Sequence, residues 1–215
     1  WPRMALAMPN PAHRAMAALE QTGNLRGIIT QNVDRLHTRA GSRHVVELHG
    51  ALAEVCCLDC RMLEPRDQLQ ERLLSLNPTL RPADADGVES APDGDAELDD
   101  ERLETFVIAD CQFCGGTLKP DVVFFGEAVP RLKVEKATSW LDEAEVLLFV
   151  GSSLTVYSGY RFVLRAAERK IPIAIVNLGT TRGDALASVK LDQRAGEILP
   201  RLAERLTGRS LQEAV

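Results

Sequence analysis

Residues 30–50 read TQNVDRLHTRAGSRHVVELHG. The apolar run Gly27-Ile28-Ile29-Thr30 leads into this stretch and reads as a short buried strand. It ends on three polar groups, Gln31, Asn32 and Asp34. A second extended segment, Val45-Val46-Glu47-Leu48, ends on His49 and Gly50. Cys57-Leu58-Asp59-Cys60 follows at once, and Cys111-Gln112-Phe113-Cys114 lies far downstream. Two strand ends carrying polar groups, running into half of a metal site, frame the reading of the whole chain.

Upstream, Asn10-Pro11 is a helix start, with Asn as N-cap and Pro at the first helical position. Ala15, Ala18 and Leu19 give that helix its apolar stripe, and Gly23 ends it near Thr22. Downstream, periodicity predicts helices over about 67–76, 131–142, 159–169 and 197–206. Glu145–Val150 reads as a fully apolar buried strand ending in Gly151-Ser152-Ser153. Ile171–Asn177 is another buried strand, and Val189–Leu191 a last short one. Buried strands alternating with helices indicate an α/β fold, a parallel sheet wrapped by helices. The polar groups follow the strands, and ligands of such sheets bind at the carboxyl ends. A nucleotide site is therefore expected around Gln31-Asn32, Gly151-Ser152-Ser153 and Asn177.

The 215 residues suffice for one ordinary domain with a small appendage. An apolar fraction of 45% beside 26% charged residues is that of a water-soluble globular chain, and no apolar run reaches membrane-spanning length. No signal peptide is legible in Trp1–Asn10. The net charge of −6 is concentrated: between Ala83 and Glu104 ten acids face one arginine, which leaves the rest mildly basic. That segment reads as a flexible, solvated insertion at about 78–104. Nothing in the charge pattern indicates direct nucleic-acid binding.

Five cysteines in two CxxC pairs plus Cys56 do not form a secreted disulfide framework. Each CxxC directs two thiolates at one tetrahedral ion, so Cys57, Cys60, Cys111 and Cys114 are read as ligands of a single structural zinc. Cys56 is read as a small apolar filler. His49 is the candidate catalytic histidine because of its place beside the polar cluster at a strand end. His13 is taken as a helix-face residue, and His37 and His44 as loop residues.

Together these motifs resemble the sirtuin family of NAD-dependent protein deacylases. The likeness rests on Gln31-Asn32-Val33-Asp34, Leu36-His37, Ala40-Gly41, Glu47-Leu48-His49-Gly50, the two CxxC pairs, Lys119 to Glu127, Gly151-Ser152-Ser153-Leu154 and Asn177. Tyr157 to Phe162 and Leu178 to Arg182 look most like the class II, mitochondrial and bacterial branch. The resemblance implies a Rossmann-like NAD-binding domain over 1–52 and 120–215, with an inserted zinc module over 53–119. It implies NAD as co-substrate, acylated-lysine proteins as partners, and transfer of the acyl group to ADP-ribose with release of nicotinamide. His49 matches the general base. Asn32 and Asp34 match the nicotinamide pocket, and Gln31 and Val33 further cofactor contacts. Gly151, Ser152 and Ser153 match the phosphate and ribose side. Asn177, Leu178 and Gly179 match the adenosine end, with Ala195 where the family often has Cys. Val123, Phe124, Phe125, Gly126 and Glu127 match the strand that pairs with the substrate peptide. A bacterial cytoplasmic location is implied, or else the mitochondrial matrix.

The family's Gly-rich diphosphate loop, GAG-Ser followed by Gly-Ile-Pro-Asp-Phe-Arg, is not among these residues; in the family it lies upstream of the point where Trp1 stands. That predicts an N-terminally truncated sheet, with weak NAD binding and little turnover by the 215 residues alone. Two alternatives stay open: mono-ADP-ribosyl transfer, which begins with the same chemistry, and a catalytically weak NAD- and zinc-binding remnant.

Overall fold

A computed structural model describes residues 2–78 and 104–210. The acidic insertion lies almost wholly outside the described residues. The chain divides into two compact units, one of Trp1–Leu6 with Ala51–Val122, the other of Ala7–Gly50 with Val123–Val215. After a short first helix, α1 (Pro2–Leu6), comes α2 (Pro11–Gln21), capped by Asn10 and ended at Thr22 as the sequence indicates.

In the larger unit β1 (Ile28–Thr30) pairs in parallel with β2 (Val45–Glu47), joined through the short helix α3 (Leu36–Arg39). Three strands that come later in the chain, β6 (Leu147–Val150), β7 (Ile173–Val176) and β8 (Val189–Leu191), form a second parallel set in that order. Helices α5 (Arg131–Asp142), α6 (Tyr157–Glu168) and α7 (Ala195–Thr207) complete the unit.

Alternate strand residues enter two different cores. Ile29, Val46, Leu147, Phe149, Ile173 and Ile175 pack with Ala137, Leu141, Phe162 and Val163 from α5 and α6. Ile28, Val45, Leu148 and Val150 pack with Ala15, Met16, Leu19, Leu199 and Ala203 from α2 and α7. A period of two that is apolar on both faces requires a helix layer on each side, which is why these strands read as continuous apolar runs. The α/β fold class expected from the sequence is the one found. β6 is shorter than expected: it starts at Leu147, and its residues are half-buried because it is hydrogen-bonded to β7 alone among the described strands.

In the smaller unit β3 (Gly50–Cys57) lies between β4 (Leu63–Pro65), to which it is antiparallel, and β5 (Leu118–Val122). Helix α4 (Arg66–Leu76) covers them through Leu69 and Leu73, against Val55, Ala109 and Leu118. Asn77 is buried and acts as a clasp: its Nδ2 donates to Leu73 O and Val107 O, and its Oδ1 accepts from Val107 N at 2.7 Å. The two sides of the acidic insertion are thus tied together at its base.

Candidate active site and metal centre

The metal centre is built from two similar turns. In Cys57–Arg61 the N–H of Arg61 donates to Cys57 O at 3.1 Å, and in Cys111–Gly115 that of Gly115 donates to Cys111 O at 2.9 Å. Each turn closes on a left-handed residue, Arg61 at φ 64° and Gly115 at φ 73°. Gly115 adopts that conformation freely, whereas Arg61 adopts it against a steric preference. The four Sγ atoms lie within 4.8 Å of one another, with Cys57–Cys114 at 3.5 Å and Cys60–Cys111 at 3.8 Å. Four thiolates about 2.3 Å from a tetrahedral zinc stand about 3.8 Å apart, so the donor set fits one zinc and leaves no open position.

The thiols also show what the cluster needs. The backbone N–H of Cys60 draws the Cys57 thiol down to about 7, while Cys114 is pushed up to about 12, chiefly by its contact with the Cys60 sulfur. Without a cation, four crowded thiols do not ionise together; a divalent ion removes that conflict. Cys56 is half-buried, with its Sγ 3.5 Å from Cys57 O, outside the cluster.

In the larger unit His49 sits on the turn after β2. Leu48 N donates to Thr30 O and Val123 N to His49 O, both at 2.9 Å, which fixes the turn from two sides. His49 Nε2 lies 2.9 Å from Ser158 Oγ, and Gln31 Nε2 donates to the same oxygen at 2.8 Å. Burial lowers the His49 pKa below that of a free imidazole; a hydrogen bond to the Gln31 main chain opposes this, and the Lys133 charge adds to it. A half-buried neutral imidazole at the end of a strand is suited to accept a proton.

Asp34 Oδ1 accepts from Leu36 N at 2.9 Å and so starts α3. Asn32 is exposed, with its N–H donating to Thr30 Oγ1. The expectation for one histidine, His37, is corrected here, whereas His13 lies on α2 as expected. His13 is 8% exposed and does more than decorate a helix face: it closes the capping box with Asn10, and its ring lies 4.6 Å from that of His37. His37 belongs to α3, not to a loop, and burial takes its pKa down to about 4. His44 does lie in a loop, where its Nδ1 stands 2.6 Å from Glu20.

A second locus gathers the ends of β6 and β7 and the start of α7. Gly151, Asn177, Leu178 and Ala195 line a cavity of about 380 Å³, together with Asn10 and Gln193. Ser152, Ser153 and Gly179 are not in its lining. They build its turns: Ser152 Oγ accepts from Leu154 N, Ser153 Oγ pairs with Thr155 Oγ1, and Gly179 N donates to Asp192. Arg194, the N-cap of α7, contributes no side-chain cap; Glu197 N donates to Arg194 O at 3.0 Å, and Ala195 and Gly196 begin the helix in the cavity lining.

Val123–Glu127 is not a strand, contrary to what the resemblance implied. β5 ends at Val122. Gly126 has φ 88°, Glu127 N donates to Phe124 O, and the Glu127 carboxylate accepts from Phe124 N, each at 3.0 Å. A left-handed residue leaves the extended region, so the segment turns. Phe125 is 93% exposed on it. Sequence reasoning gave no role to Ser158, which joins Gln31 and His49 across 127 and 109 residues of chain. It also missed Asn10 and Gln193 at the cavity. Only the tight Ser158-Gly159 pair at a helix start hinted at a close approach there.

A family model described as the Sir2 family matches residues 2–158. The chain belongs to the Sir2 family. It is 54% identical over 200 residues to "NAD-dependent protein lipoamidase sirtuin-4, mitochondrial" of Homo sapiens, covering 93% of this chain and 63% of that protein. It is 51% identical over 199 residues to the "NAD-dependent protein deacetylase" of Xanthomonas axonopodis pv. citri (strain 306), covering 93% and 67%. This Sir2-family chain thus spans just under two thirds of the length of the sirtuin-4 proteins it matches. A solved Sir2 complex with p53 peptide and NAD+ superimposes with a TM-score of 0.75 at 30% identity, covering 96% of this chain and 74% of that one. Another solved Sir2 structure, bound to acetylated peptide, gives the same TM-score.

Proposed function

We propose that this protein is an NAD-dependent lysine deacylase. It takes an acyl group from a lysine side chain of a protein and delivers it to ADP-ribose, with nicotinamide released. The observation that carries this reading is the half-buried His49, held between Ser158 and the Gln31 main chain at the end of a parallel strand. Relatives 51–54% identical that are named deacetylases and lipoamidases support it.

NAD supplies the ribosyl centre that accepts the acyl oxygen. His49 accepts a proton from a ribose hydroxyl, which its lowered pKa leaves it free to do at neutral pH. Asn32, Val33 and Asp34 line the nicotinamide side and Gln31 the ribose. Gly151, with the turn formed by Ser152 and Ser153, receives the phosphates and ribose; Asn177, Leu178, Gly179 and Ala195 receive the adenosine, in the cavity that four of these residues line. The Val123–Glu127 turn, with Phe124 and Phe125 exposed, takes the acyl-lysine peptide. The zinc of the small unit holds structure and takes no part in the chemistry, because four thiolates close its shell. Thiolate ligands favour a reducing compartment, and relatives named mitochondrial and bacterial support the mitochondrial matrix or the bacterial cytoplasm.

The test is an acyl-lysine peptide panel with NAD, using the protein at its full natural length and His49→Ala as control. Release of nicotinamide coupled to loss of the acyl group supports the proposal. Nicotinamide release with ADP-ribose left on a protein, and no deacylation, replaces it with ADP-ribosyl transfer.

A further inference from the structure

Ser158 lies where two elements of the candidate site meet, in the first turn of α6 and only 8% exposed. Its oxygen is 2.8 Å from Gln31 Nε2 and 2.9 Å from His49 Nε2. A carboxamide nitrogen only donates. Gln31 therefore occupies one lone pair of Ser158, and because the hydroxyl makes no other hydrogen bond among the described residues, His49 is the acceptor left for its proton. Nε2 is then an acceptor, and the neutral ring carries its proton on Nδ1. The ring's hydrogen bond to the Gln31 main chain agrees with this, because it gives the remaining nitrogen a partner to donate to. Gly159 keeps Gln31 in place: a Cβ there would stand 2.9 Å from Gln31 Oε1, so the side chain packs directly on the helix backbone.

We propose that Ser158 is a positioning residue which, with Gln31, holds His49 as its Nδ1-protonated tautomer and keeps the Nε2 lone pair directed into the site. The consequence for catalysis rests on the reading of His49 as the base. An arriving ribose hydroxyl replaces Ser158 as donor to Nε2. Its proton moves to Nε2, the ring becomes imidazolium, and the electron pair of the broken O–H bond stays on the attacking oxygen. The other proton stays on Nδ1 throughout, with the Gln31 main chain as its acceptor. Lys133 on α5 is the charged group that acts on the ring, and it favours the neutral form.

The test is the side-chain nitrogen NMR spectrum of the ligand-free chain at about pH 7.5, above the imidazole range. His49 is assigned by the loss of its signals in His49→Ala. The wild-type ring is expected as Nδ1–H. Ser158→Ala shifts much of it to Nε2–H, and Ser158→Thr, which keeps the hydroxyl, does so far less. Gln31→Glu reverses the relay: a carboxylate only accepts, so Ser158 donates to it and His49 must donate from Nε2. This variant decides the matter even where Ser158→Ala does not fold. A wild-type ring protonated on Nε2, or a Gln31→Glu ring still protonated on Nδ1, overturns the proposal. In the full natural protein Ser158→Ala is expected to lower kcat about tenfold with KM little changed, a part of the roughly 10²–10⁴ that a positioned base supplies. The expected spectra beside an unchanged kcat would refute the base role of His49 and leave the relay standing.

Discussion

Replacing His37 by Gln removes a pH-dependent weakness of the fold. The imidazole of His37 is packed in α3 against the His13 ring at 4.6 Å. Burial, aided by the neighbouring His13 and opposed by Asp34, takes its pKa from 6.5 down to about 4. A folded pKa below the unfolded one means that the folded chain resists protonation. Stability is therefore full above about 6.5 and falls as the pH drops from there towards about 4. At about pH 5 the unfolded ring carries nearly one proton and the folded ring about a tenth of one, so lowering the pH from about 7.5 removes about 2 kcal/mol through this residue. Glutamine is polar and of similar length but does not titrate. Urea unfolding of the wild type and His37→Gln at both pH values measures the effect. Whatever the variant loses at neutral pH through packing is common to both conditions and cancels. The pH-dependent loss in the variant is expected to be smaller than in the wild type by about 2 kcal/mol, the rest coming from groups such as His13 and His49. Equal losses in the two proteins would show that His37 is not buried as a neutral ring, and the reasoning would fall.

The remaining predictions concern the two sites. In the full natural protein the acid limb of the pH profile for deacylation falls below pH 6.5, because burial lowers His49; a limb lying above that value excludes His49 as the free base. The chain binds one zinc, and Cys60→Ser or chelation lowers the melting temperature; retention of one tightly held zinc by Cys60→Ser would remove that residue from the shell. Gly159→Ala places a methyl group on Gln31 and moves its flexible side chain off Ser158, so the melting temperature changes by a few degrees while the His49 tautomer becomes mixed; an unaltered His49 spectrum argues against close packing at that point. Asn177→Ala frees the carbonyls of Leu178 and Gly179 from the Asn177 amide, and an NAD titration followed by calorimetry is expected to show weaker binding; unchanged affinity would count against the cavity as the adenosine site.

Local chemistry carried much of this into the sequence. Asn10-Pro11 starts α2 because a side-chain oxygen and a ring-locked φ act within one turn of the chain. The CxxC pairs speak for themselves because each spacing already directs two sulfurs to one side of a turn, and only the meeting of the two pairs needed the fold. The strands β6 and β7 were legible because both of their faces are covered by helices, which leaves an apolar run with few other meanings. What the sequence did not carry were contacts between residues far apart in the chain. Nothing near Ser158 says that it touches Gln31 and His49, and nothing near His13 says that its ring meets His37. The strand over Val123–Glu127 was implied by the family resemblance alone, and the positive φ of Gly126 makes the segment turn instead. The sequence by itself determined the alternation of strand and helix, the four cysteines that gather at the metal centre and the histidine proposed as base. Tertiary structure alone decided the protonation of the histidines, since desolvation and hydrogen-bond direction depend on neighbours brought in by packing, not by the order of the chain.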